Sequence, residues 1–140
     1  MPAEIVLRRL YWVGPATVGA AVAAVMAVQE ASLLLLDDLP KFSGRILRSN
    51  EPAFAAALFV GCAVLIFPIV VDAAKNPLRT FRRLALGVLL VSCIPNSIAA
   101  FSRDAGIEWG MLALMVMHVV AWAVTVAMLT RLTLKRTTTA

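Results

Sequence analysis

Apolar residues fill this chain in four long runs, roughly residues 10–36, 53–71, 84–102 and 109–130, and charge and turn residues gather in the short stretches between them. Each run approaches the ~20 residues a helix needs to cross a ~30 Å hydrocarbon core, and none alternates as a half-buried strand would. The pattern predicts an all-α integral membrane bundle of four transmembrane helices. Short connections make consecutive helices antiparallel neighbours, so the expected order is up-down-up-down. The 140 residues are nearly used up by four spans, which leaves a single four-helix domain, residues 1–140, and no separate catalytic or binding module.

The punctuation agrees with this count. Pro15 falls in the opening turns of the first helix, where a missing amide is tolerated, and Asp37, Asp38 and Pro40 close that helix. Between Lys41 and Pro52, Phe42, Ile46 and Leu47 are spaced against Lys41, Arg45 and Arg48. That spacing predicts a short helix lying on the membrane surface, which makes residues 37–52 an interfacial loop. Asn76-Pro77 marks the turn between the second and third spans. The first apolar run is longer than the apolar core of a signal peptide, so it reads as a retained helix. Pro95 lies inside the third helix and frees the carbonyl of Val91, so a kink is expected there, with Ser92 and Asn96 placed to satisfy the freed groups.

Charge adds orientation. Arg8, Arg9, Lys75, Arg79, Arg82, Arg83, Arg131, Lys135 and Arg136 fall on one side of the four spans, against Lys41, Arg45, Arg48 and Arg103 on the other. By the positive-inside rule both termini face the cytoplasm, which implies a multi-pass protein of the plasma (inner) membrane. The net charge of +5 therefore mostly records topology. With no basic soluble face, nucleic acid is excluded as a partner; the lipid bilayer, a homo-oligomer or a larger membrane complex remain.

Only two ionisable side chains sit well inside the runs, Glu30 and His118. A charge at membrane depth is costly, so each marks a candidate site and each is the other's obvious partner. Glu30 is seven residues before Asp37 and Asn96 seven before Arg103, which puts both ~10 Å below the outer boundary at about 1.5 Å per residue. His118, Cys62 and Cys93 fall at ~15 Å by the same rule. Small residues at Gly19, Ala23, Ala27 and Ala31 form a stripe on the first helix, and Ala53, Ala57 and Gly61 a shorter one on the second. Such stripes let helices approach closely; read as intramolecular packing, the first one turns Glu30 inward.

Three readings of this polar layer compete. The first is a hydrogen-bonded cluster of Glu30, His118 and Asn96, with Gln29, Ser92 or Ser97, that fixes helix register in the outer half of the bundle. The second is a proton- or cation-linked site in which a carboxyl and an imidazole exchange a proton, as in a small transporter acting as an oligomer. The third and weakest is a zinc or copper site from His118, Glu30, Cys62 and Cys93, because the cysteines lack paired spacing. No catalytic residue set and no cofactor motif is visible, so the expectation is a protein that is not an enzyme. An accessory subunit of a larger membrane complex is the remaining alternative.

The fourth run reads Met115-Val116-Met117-His118-Val119-Val120-Ala121-Trp122-Ala123-Val124-Thr125-Val126 and closes on Arg131. With Met117, His118 and Ala121 in that run, and Pro95 in the third, the chain resembles a domain-of-unknown-function family of small bacterial four-helix integral membrane proteins. The resemblance implies the four-span layout and no activity. A membrane-embedded Glu in a first helix is also similar to the small multidrug transporters, which work as dimers around that acid. Glu30 lies late in its helix for that pattern, the loops are longer, and His118 has no counterpart in it.

Overall fold

The computed structural model describes residues 7–36, 41–101 and 109–133, with the side chains of residues 41–43 and 99–101 left aside. A 3-10 turn, Leu7–Arg9, leads into α1 (Leu10–Leu35), followed by α2 (Lys41–Leu47), α3 (Glu51–Ala73), α4 (Pro77–Phe101) and α5 (Trp109–Leu132). No strand occurs among the described residues, and α1, α3, α4 and α5 are long and apolar enough to cross a membrane. Asp37, Asp38, Pro40, Arg103, Asp104, Glu108, Lys135 and Arg136 lie outside the described residues.

The helices overrun the apolar runs where local chemistry allows it. α4 starts at Pro77, a residue whose missing amide costs nothing in a first helical turn, and it carries Arg79, Arg82 and Arg83 before its apolar stretch begins. The Thr80 amide closes this start on the Asn76 carbonyl. Pro15, Pro68 and Pro95 all lie within helices. α4 runs through Pro95 without interruption, and neighbouring hydroxyls do not take up the carbonyl it frees: Ser92 Oγ donates to Leu89 and Ser97 Oγ to Cys93. The short helix expected after residue 40 is present as α2. Its Leu47 is fully buried, and Arg45 and Arg48 are exposed, so α2 is pinned into the end of the bundle by its C-terminal turn.

α1 packs most extensively on α5 and next on α3, whereas α4 leans on α5 and touches α3 less. Two apolar clusters hold the bundle. One gathers Val13 from the start of α1, Phe67 and Val70 from the end of α3, Phe81 from the start of α4 and Leu129 from the end of α5. The other gathers Val25 of α1, Leu47 of α2, Ala56 of α3 and Met111, Ala113, Leu114 and Met117 of α5. In the first cluster the Phe67 and Phe81 rings meet edge to face at 5.0 Å, a geometry favoured by their quadrupoles. Large apolar side chains such as Leu65, Ile69, Leu90 and Val91 face outward. So much contiguous apolar exposure is foreign to a water-soluble monomer and normal where lipid is the solvent.

The small-residue stripe of α1 does not build this packing. Its buried positions are Val13, Gly14, Thr17, Ala21, Val25 and Gln29, while Gly19, Ala23, Ala27 and Ala31 are all exposed. The close approach occurs at Gly14, where a Cβ would sit 2.8 Å from Val64 Cγ1 of α3; one added at Gly19 or Gly61 would meet nothing within 4 Å. Bulk decides the choice: the inner stripe alternates Val with small residues and fills the space against α5, which an all-alanine face cannot do.

Candidate functional site

A cavity of about 650 Å³ opens between α3 and α4 with α5 as its floor. Three facing stripes build it: Ala55, Phe59, Cys62 and Ile66 on α3; Ala85, Val88, Ser92 and Asn96 on α4; Leu114, His118, Ala121 and Trp122 on α5. Each stripe follows the three-to-four-residue spacing of one helix face. Phe81 marks one end of the cavity, and Ile46, Glu51 and Pro52 lie at the other, beneath the C-terminal turn of α2. Its mouth is rimmed by Phe59, Ile66, Leu84 and Val88, all at least 48% exposed, so it opens sideways from the bundle. The volume lies within the ~300–1,000 Å³ typical of small-molecule sites.

The polar groups in this apolar wall form one layer. Arg82 Nη2 donates to Thr130 Oγ1 and Ser97 Oγ lies 3.7 Å from Met115 Sδ, so each step along α4 is matched by one step back along α5. His118 therefore stands level with Ile94, midway between Ser92 and Asn96. Its Nδ1 lies 2.7 Å from the Leu114 carbonyl. A carbonyl only accepts, so Nδ1 carries the proton, and in the neutral ring Nε2 is left as a bare acceptor. The Asn96 side chain makes no hydrogen bond among the described residues, and the buried indole N–H of Trp122 has no partner either.

Gln29 is the polar side chain that the sequence stripe concealed. It is 8% exposed, and its amide nitrogen donates to the carbonyls of Leu47 at 2.8 Å and Ser49 at 2.9 Å. These two bonds tie the last turn of α2, and with it the outer wall of the cavity, to α1. The period-four series Val13, Thr17, Ala21, Val25, Gln29 was visible in the sequence beside the small-residue stripe; its mixture of β-branched and hydrogen-bonding residues is the signal that marks it as the inner face.

Glu30 departs from the expected inward position. It is about two and a half turns beyond Ala21 and so on the opposite side of α1, exposed, outside the cavity, and its carboxyl makes no hydrogen bond or ion pair among the described residues. Glu30 and His118 do not share a site within one chain, because α1 turns its bulkier stripe, not its small one, toward α5. Cys62 lines the cavity with His118 and Cys93 does not. No three His, Cys, Asp or Glu side chains converge as metal ligands among the described residues. A second groove, between the end of α1 and the start of α5, is apolar apart from Ser32, whose hydroxyl donates to Val28.

No family model, curated protein or solved structure matches this chain.

Proposed function

We propose that this chain is a non-enzymatic, four-span protein of the plasma membrane, up-down-up-down with both termini cytoplasmic, that holds a small apolar molecule with a polar head in the cavity between α3 and α4. The observation that carries the reading is the layer formed by His118 and Asn96: polar side chains with unused hydrogen-bonding capacity, set at membrane depth in a wall that is otherwise apolar. Unsatisfied polar groups are costly in hydrocarbon, and a bound head group would satisfy them. The test is to purify the protein gently from native membranes and measure retained small molecules by native mass spectrometry. Ala85→Phe, which fills the cavity, should release the retained molecule and leave the bundle folded. Equal retention by both proteins would remove the reading.

Exposed Glu30 supports a second reading, assembly through the outer face of α1 into a homo-oligomer or a larger complex. A carboxyl on the lipid side of a membrane-length helix is expensive until a partner covers it. In a Cys62→Ser, Cys93→Ser background, Ala23→Cys should form a disulfide-linked dimer in membranes, and an Ala23→Cys variant that stays monomeric under oxidation would count against self-association.

A further inference from the structure

The hydrogen bonds in the cavity wall have a common sense. Ser92 Oγ donates to the Leu89 carbonyl, Thr125 Oγ1 to the Ala121 carbonyl and His118 Nδ1 to the Leu114 carbonyl. Each of these side chains uses its proton on its own helix and keeps only lone pairs for anything else. Asn96, level with this group and with no side-chain hydrogen bond among the described residues, has an amide that can still donate; the other unused donor, the indole N–H of Trp122, is buried. Among the described residues that line the cavity there is no Lys or Arg, and the one charged side chain is Glu51.

From this pattern we infer that the cavity takes a neutral, hydroxyl-bearing amphiphile, its O–H donated to His118 Nε2 and its oxygen accepting from the Asn96 amide. The assignment rests on the cavity being a ligand site, as proposed above, and adds the chemistry of the head. A carboxylate or phosphate would set its negative charge against the His118 Nε2 lone pair, in an apolar wall whose described lining has no cation to receive it. An ester or ketone only accepts, and would leave His118 unsatisfied. An ammonium only donates, and would leave the Asn96 amide hydrogens unsatisfied. A hydroxyl does both with one atom.

Trp122 provides the readout, because it lies one turn from His118 in the same wall. With Trp12→Phe and Trp109→Phe it is the sole tryptophan, and a bromine on a bound chain quenches it. Four probes of one length, brominated at mid-chain, separate the possibilities in nanodiscs: a long-chain alcohol, its ionised carboxylic acid, the methyl ester of that acid, and the primary alkylammonium. The alcohol should quench saturably and about tenfold more tightly than the ester, the difference expected for losing the hydrogen bond to His118. His118→Phe should abolish that preference, and if that variant fails to fold, the ranking of the four probes on the native site decides alone. Equal affinity for all four probes, or tightest binding of the ammonium, overturns the hydroxyl assignment and leaves the cavity a ligand site. No saturable quenching by any probe overturns both.

Discussion

Two glycines of α1 separate the inner face of this bundle from its outer one. Gly14 meets Val64 across the α1–α3 contact and Gly19 meets nothing. Gly14→Val should therefore destabilise the bundle by about 1–3 kcal/mol through overpacking, while Gly19→Val should leave thermal unfolding in detergent close to that of the native protein. If both variants melt alike, the face assignment fails, and the exposed position of Glu30 fails with it. The residues that carry chemistry were largely visible in the sequence, since His118, Asn96, Ser92 and Trp122 stand out in apolar runs. The phase of α1 was harder to read. Gly19, Ala23, Ala27 and Ala31 form a regular series, and regular small residues suit a tight seam with a neighbouring helix whether that helix belongs to the same chain or to another. The inner series, Val13, Thr17, Ala21, Val25 and Gln29, stands beside it in the same helix, and the shape of the neighbour, here Val64 against Gly14, is what sets its phase.

At the scale of elements, Gln29 is the side chain that joins α2 to the spans. Replacing it with Leu leaves the carbonyls of Leu47 and Ser49 without their donors, a cost of about 1–3 kcal/mol if they stay buried. The expected result is local opening: hydrogen exchange should quicken at Arg48 and Ser49, whose amides bond to Gly44 and Ile46, while the middle of α5 keeps its protection. Unchanged exchange at both residues would show that Leu47 packing alone holds α2 down. The existence of all five helices followed from the apolar runs and from the spacing of Ile46 and Leu47 against Arg45 and Arg48. The extension of α4 back to Pro77 did not, because arginine is a good helix former that an apolar count leaves out.

For the whole molecule, orientation is the property that charge governs. With Arg8, Arg9, Arg79, Arg82, Arg83 and Arg131 at one end of the spans, a green fluorescent protein fused to the C-terminus should fluoresce, and alkaline phosphatase inserted after Asn50 should be active. The opposite pair of results would invert the proposed topology. The pairing of helices carries a second consequence, about order in time. α1 has its most extensive contact with α5, and Leu47 of α2 is buried in a cluster supplied mainly by Met111, Leu114 and Met117 of α5. The helix made after all the others described is the one on which the earlier ones close. Until α5 packs, α1 lacks its main neighbour and Leu47 lacks most of its cluster, so a chain cut off before α5 should be degraded faster than the full one, as a pulse-chase measurement would show. Loss of α5 should thus act as a switch on survival of the whole protein, not as a trimming of one edge.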